Sequence, residues 1–369
     1  MSGTPPDAQV TGVEKLGILF GVVSNIVALT LLIINLLDVG TYNIFVGTGA
    51  AIGTGITGIG TAAGTACVRC TGSITGIACP VRTTSADKKI NAIFLSLIKM
   101  ATEQKFALLI GINYIGTENE LKGCINDVDD VRQLLITHAG YPSGNILTLT
   151  DLTSIKPTTA VIRAGLTWLL SGQSADKFNP GIINMPKMAL GTKLFYHYSG
   201  HGIQIPDRNK DERDGLDEVM LPLDFKTSGG ISDDELRANF LAKIPAGVKL
   251  SGLQDCCHSG TAFDMAWISK MEKNKTMSIV RDGTYTDLLG DIRILSACAD
   301  NQKATDMPIG GRSRGLLSAS FITTYKKDIR SKELLPLVQA QMIANGITDQ
   351  TPQLCFSNIE AVTLNGTFL

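Results

Sequence analysis

From Lys105 onward, short apolar runs alternate with segments of helical periodicity, and this alternation restricts the fold more than any other feature of the chain. The runs are FALLIGI (106–112), NILTLT (145–150), TKLFYHYS (192–199), VKLSGLQ (248–254) and DIRILSA (291–297). Short apolar stretches of this kind suit strands buried on both faces. Helical patterns near 125–138, 158–171 and 233–243 lie between them, and Ser232 with Glu235 three residues later gives the last a capping-box start. More helix is predicted at 313–328 and 332–345, the second interrupted near Pro336. Strand–helix order of this type predicts a mostly parallel sheet with helices on both faces, an α/β/α sandwich.

In open α/β sheets, ligand sites gather beyond the carboxyl ends of the strands. Two predicted strands end in reactive residues. TKLFYHYSGHG places His201 just past its strand between two glycines, and VKLSGLQDCCHSG places Cys257 just past another. If these strands are neighbours, an imidazole and a thiol open on one edge and form a nucleophile–base pair. The amides of Gly202 and Cys257 are the candidates to hold the oxyanion of an acyl-transfer intermediate. His197 sits two residues back from Ser199, inside the sheet layer, and His138 and His258 carry no assigned role.

Size and charge bound the rest. The chain has 369 residues, enough for a large core, and a net charge of −1 from 33 basic and 34 acidic side chains. Nothing in that balance steers it to nucleic acid. Its 8 cysteines lack the spacing of a disulfide scaffold and point to a reducing compartment. CVRC at 67–70 followed by Cys79 lacks a fourth ligand nearby, so no zinc is expected.

The first part of the chain has a different texture. Residues 1–15 read as a polar tail, and Leu16–Leu37 is uncharged and as long as a bilayer-spanning helix. Residues 44–66 are Gly- and Thr-rich with glycines four apart, and read either as a second span or as a linker. The expectation is a membrane segment within 16–80, contacting lipid through 16–66, followed by a linker at 81–104. Lys15 on one side and Arg69, Arg82, Lys88 and Lys89 on the other put the catalytic region on the cytoplasmic side in a two-span arrangement.

HYSGHG (197–202) and DCCHSG (255–260) resemble the two signatures of metacaspases, relatives of caspases, and LKGCINDV (121–128), DGLDEVMLPLDF (214–225), ISDDEL (231–236) and QTPQL (350–354) resemble further segments of that family. The resemblance covers about Lys105 to Glu360. It implies a caspase-like fold with a large-subunit-like region at 105–268, a linker at 269–290 and a small-subunit-like region at 291–369. It is similar to the type I arrangement, although an apolar extension stands where a Pro-rich or zinc-finger prodomain is usual. The resemblance implies a cysteine endopeptidase cutting proteins after Arg or Lys, with Cys124, Asp127, Ser199 and Asp255 lining the primary pocket. Paired carboxylates there would hold a guanidinium through charge-assisted hydrogen bonds. It also implies a calcium site built by Asp217, Asp233, Asp234 and Asp264, whose hard oxygens suit that ion. The acidic stretch 206–218 is not an EF-hand loop, because Glu212 stands where glycine is required. Self-cleavage is expected in the 269–290 linker after Lys273, Lys275 or Arg281, and the protein is expected to be a monomer. The competing reading is a catalytically silent scaffold of the same fold at a membrane, against which the intact Cys257, His201 and Asp255 argue.

Overall fold

The computed structural model describes residues 104–182, 188–210, 212, 214–260, 263–272, 277–281, 285–358 and 366–369. The apolar segment 16–66, the CVRC motif, and Lys273 and Lys275 lie outside them. Among the described residues no helix is long and apolar enough to cross a membrane.

The strands are β1 (Lys105–Gly111), β2 (Ile146–Thr150), β3 (Lys193–Ser199), β4 (Gly202–Pro206), β5 (Leu216–Met220), β6 (Ile231–Ser232), β7 (Lys249–Asp255), β8 (Trp267–Met271), β9 (Met277–Arg281), β10 (Asp291–Ser296), β11 (Asp306–Ile309), β12 (Arg312–Gly315) and β13 (Gln353–Phe356). Eight of them form one sheet in the order β2-β1-β3-β7-β10-β13-β8-β9. The parallel part, β2-β1-β3-β7-β10, consists of the five runs read from the sequence. In β1, β3 and β7 every residue after the first is buried, which explains their unbroken apolar character.

The antiparallel part, β13-β8-β9, was not anticipated. β8 and the first half of β9 are half-buried and the end of β9 is exposed, so they carry polar residues and lack an apolar run. The segment 269–290, expected as a linker, instead contains the end of β8 and all of β9, and extends the sheet.

Helices cover both faces. α1 (Cys124–Thr137), α4 (Leu316–Thr324) and α5 (Ser331–Ala344) bury Val128, Val131, Leu317, Phe321, Leu334 and Val338 against one face. α2 (Thr159–Leu169) and α3 (Asp233–Asn239) bury Ile162, Leu166 and Leu236 against the other. Ser232 caps α3 by accepting from the Glu235 amide at 3.3 Å, as the motif predicts. The Glu235 carboxylate does not close the box, because it pairs with Arg163 instead. Pro336 is the sixth residue of α5 and does not end it.

Two small units sit beside the sheet: an antiparallel β4-β5-β6 and a β11–β12 hairpin. Both meet its carboxyl edge, where β3 and β7 end side by side with Ser199 opposite Asp255.

Candidate active site

Because β3 and β7 are parallel neighbours in register, the residues that follow them emerge together. The Gly200 amide reaches the Asp255 carbonyl at 3.4 Å, so the two loops begin in contact. A Cβ at position 202 would overlap the Cys257 carbonyl oxygen and lie 3.0 Å from Cys256 Sγ. Glycine at 202 is therefore what allows the histidine loop to close onto the cysteine loop.

The His201 backbone is clamped. Its amide donates to Tyr114 Oη at 3.1 Å, and its carbonyl accepts from Tyr198 Oη at 2.8 Å and from the Leu221 amide at 3.2 Å. The imidazole lies against the Tyr114 ring, with centroids 4.8 Å apart. Nε2 is 2.8 Å from the Asn119 carbonyl oxygen, which can only accept, so Nε2 carries the proton. Nδ1 is thereby the nitrogen that can take a proton from a thiol.

Cys257 is half-buried, and its Sγ reaches the Ala304 carbonyl at 3.9 Å. Burial holds its thiol above the ordinary range, against the lowering effects of that carbonyl and of Lys303. No hydrogen bond joins Cys257 to His201 in this state, a separation common before substrate arrives. Cys256, by contrast, is buried, faces Gln254 Nε2 at 3.5 Å, and is pushed well up by burial.

The four pocket candidates come together. Ser199 Oγ donates to Asp127 Oδ2 at 2.8 Å, and Cys124 opens α1 three residues before Asp127. Asp255 Oδ2 accepts the Ser318 amide at 2.8 Å. The Gly315 amide lies 3.0 Å from each oxygen of Asp127, and a Cβ on Gly315 would overlap Asp255 Oδ2 and lie 2.8 Å from Asp127 Oδ2. Both carboxyls thus face one glycine at the end of β12. Both are buried, and no basic side chain pairs with either among the described residues. Burial raises Asp127 well above the ordinary range, with Asp255 adding to it, and burial raises Asp255 to about 6. Asp306 joins the hairpin to α1 by accepting the Lys122 and Gly123 amides at 3.0 and 2.9 Å.

The acidic residues form a second site beside β5. Oxygens of Glu212, Glu218 and Asp233 lie within 4.8 Å of one another. Asp264 is electrostatically coupled to Asp233 and Glu212, and its buried Oδ1 has no hydrogen-bond partner. Desolvation raises Asp233 to about 7, and desolvation followed by Asp233 and Glu212 raises Asp264 to about 10. An orphaned buried carboxylate oxygen beside three further acids fits a hard cation. Of the expected ligands, Asp233 and Asp264 belong to this group. Asp217 is buried on β5, and Asp234 accepts from Asn209 Nδ2 at 2.8 and 2.9 Å while its amide donates to Asp233 Oδ1 at 2.9 Å. Glu212 and Glu218 stand beside Asp233 as further acidic groups.

The sequence reading missed Asn119, Tyr114, Gly315, Ser318, Glu212 and Glu218. Only the two glutamates carried a signal, as members of the 206–218 acidic stretch. Of the expected self-cleavage positions, Arg281 ends β9, with its guanidinium 5.6 Å from the Trp267 ring and 3.7 Å from Asp287.

Comparison with known proteins places these loops in a family. The profile of the metacaspase, peptidase C14 domain matches residues 105–179 and 184–266, which include the His201 and Cys257 loops. Metacaspase-1 of Cryptococcus neoformans is 34% identical over 305 residues, 70% of this chain and 63% of that protein. The chain therefore spans less than two thirds of the length of that relative. Metacaspase-1 of Schizosaccharomyces pombe is 33% identical over 301 residues, 68% of this chain and 67% of that protein. Among solved structures, a Geobacter sulfurreducens protein has 23% identity, 69% and 94% coverage of the two chains and a TM-score of 0.46. With its parallel-sheet core and its His201 and Cys257 loops inside matched segments, this chain belongs to the metacaspase family.

Proposed function

We propose that the protein is a cysteine endopeptidase that cuts polypeptides after arginine or lysine, is activated by calcium, and is tethered to a membrane through residues 16–66. The observation carrying the specificity is the pair of buried carboxyls, Asp127 and Asp255, facing Gly315 beside Cys257 without a cation. Two acids so placed are held above their normal range, and a guanidinium or ammonium relieves both at once.

In this reading the Cys257 thiol passes its proton to Nδ1 of His201, and the sulfur attacks the carbonyl carbon of the bound residue. Asn119 holds the imidazole in the tautomer that leaves Nδ1 open. The amides of Gly202 and Cys257 take the oxyanion, a contribution of about 10²–10³ per donor. The protonated imidazole then gives its proton to the leaving amine, and water releases the acyl group from sulfur. Calcium, held by Glu212, Glu218, Asp233 and Asp264 with Asp217 and Asp234 near them, would supply the positive charge that lets these carboxylates ionise together.

The test is hydrolysis of fluorogenic peptides ending in Arg, Lys or Asp, with and without calcium. Arginyl and lysyl peptides should be cut only with calcium and aspartyl peptides not at all. Equal rates on aspartyl and arginyl peptides would sink the specificity. Cys257→Ala should abolish hydrolysis and Cys256→Ala should retain much of it. A protein silent toward every peptide would return the scaffold reading.

A further inference from the structure

The β7–β10 ladder continues one residue past the end of β10, since the Ala297 amide donates to the Gln254 carbonyl within β7 at 3.0 Å. The next residue, Cys298, is therefore delivered to the nucleophile's loop. Its Sγ reaches the carbonyl oxygen of Cys256 at 3.6 Å, the atom group bonded directly to the Cys257 nitrogen. Its amide lies 3.4 Å from Ser259 Oγ on the far side of that loop.

Residues 298–304 curl around Cys257. The His258 amide donates to the Gln302 carbonyl at 3.3 Å, and His258 Nδ1 lies 2.5 Å from the Asp300 carbonyl. The two thiols use the same turn: Cys298 Sγ faces the Gln302 carbonyl at 3.4 Å and Cys257 Sγ the Ala304 carbonyl at 3.9 Å. Cys256 Sγ packs against Gly202 and also lies within electrostatic reach of Cys298, so the cross-link must be assigned between Cys256 and Cys257 by experiment. Cys257 is half-buried and more accessible to a solvent oxidant than Cys298, which is fully buried. An accessible thiol backed by a second, protected thiol is the arrangement that captures a sulfenic acid before further oxidation.

We infer that Cys298 is a resolving thiol for Cys257, so that a peroxide converts the nucleophile into a reversible Cys257–Cys298 disulfide. This rests on Cys257 being the nucleophile. The Cys257 thiolate attacks one oxygen of hydrogen peroxide, the O–O bond breaks, and sulfenic acid and hydroxide form. The Cys298 sulfur then attacks the sulfenic sulfur, the S–O bond breaks, and the Cys298 proton leaves with the hydroxyl as water. Two thiols and one peroxide give one disulfide and two waters. A dithiol reverses the step by thiol–disulfide exchange. Burial keeps the resting Cys298 thiol protonated, pushed up to about 11, so it stays inert until the electrophile forms beside it.

The experiment treats the full chain with hydrogen peroxide and digests it without reduction for mass spectrometry. A peptide linking residue 257 to residue 298 is expected in the wild-type protein and in Cys256→Ala, and absent from Cys257→Ala and Cys298→Ser. Arginyl-peptide hydrolysis should fall about tenfold or more on treatment and return with dithiothreitol. Cys298→Ser should hydrolyse normally before treatment but stay inactive after excess peroxide and dithiothreitol, with sulfinic acid at Cys257. A link through Cys256, no link at all, or full recovery of Cys298→Ser would overturn the assignment. Because the cross-link is read by mass, a protein that proved silent toward arginyl peptides would refute the proposed activity while still deciding this one.

Discussion

Asp255 shows how a single side chain serves two opposed demands. In the free protein it is a buried carboxyl without a counter-charge, close to another one, and both raise the energy of the fold. In the proposed reading, a bound basic residue would make it half of a buried charge pair. Asp255→Asn should therefore raise the melting temperature of the metal-free protein while raising KM for arginyl peptides. Loss of one partner of a buried charge pair costs about 2–5 kcal/mol. Thermal denaturation beside steady-state kinetics checks this, and a lower melting temperature with unchanged KM would contradict it. Gly202→Ala tests the loop contact: its methyl would overlap the Cys257 carbonyl, and kcat should fall about 10²-fold or more as the oxyanion amide shifts. Cys257 and His201 were legible in the sequence because each stands in a Gly- or Ser-containing turn directly after an apolar run. Asn119 and Gly315 were not, because each acts through its backbone, and a backbone group leaves no signature in side-chain pattern.

At the scale of the element, the β4–β5 hairpin connects the acidic site to the catalytic loop. Glu218 on β5 lies opposite Gln204 on β4, which donates to it at 2.9 Å. The same ladder ends with Met220 opposite Gly202, and the next amide, of Leu221, binds the His201 carbonyl. In the proposed reading, a cation that fixed β5 would also fix the residues flanking His201. The acids also set a pH dependence. A carboxyl raised on folding makes the native state bind more protons than the unfolded one, so stability falls as pH rises from its ordinary value to its folded one. That window runs from the carboxylate range to about 6 for Asp255, about 7 for Asp233 and about 10 for Asp264. His197, lowered to about 3 by burial, opposes it up to its ordinary value, and Lys249, lowered to about 7 by burial, opposes it above 7. The acids outnumber these two between pH 5 and 7. The metal-free melting temperature should fall across that interval by roughly 4 °C or more, given about 2–4 °C per kcal/mol for a domain of this size. Calcium should restore it at pH 7 and do little at pH 5, where protons hold the same oxygens. A flat profile without calcium would contradict this.

For the whole molecule, the strand content of 269–290 changes what self-cleavage would do. Lys273 and Lys275 lie in the segment joining β8 to β9, whereas Arg281 is paired in β9 with Trp267 of β8. Calcium-triggered cutting should therefore occur after Lys273 or Lys275 ahead of Arg281. The fragments should separate on a denaturing gel but co-elute under native conditions, because β8 stays bonded to β13 and to β9. Cleavage after Arg281 alone, or native release of a fragment, would contradict this. Mass spectrometry and size-exclusion chromatography provide the two readings.

The sequence by itself determined the parallel half of the sheet, its helices and the two loops that present His201 and Cys257. Strands buried on both faces must be apolar throughout, and reactive side chains at their ends stand out against that background. The meeting of Asp127 with Asp255, the gathering of Glu212 and Glu218 beside Asp233, and the extension of the sheet by β13, β8 and β9 were decided by tertiary structure. Each depends on contacts between segments far apart in the chain, such as Gly315 with Asp127 or Phe356 with Trp267, and such contacts leave no local periodicity to read.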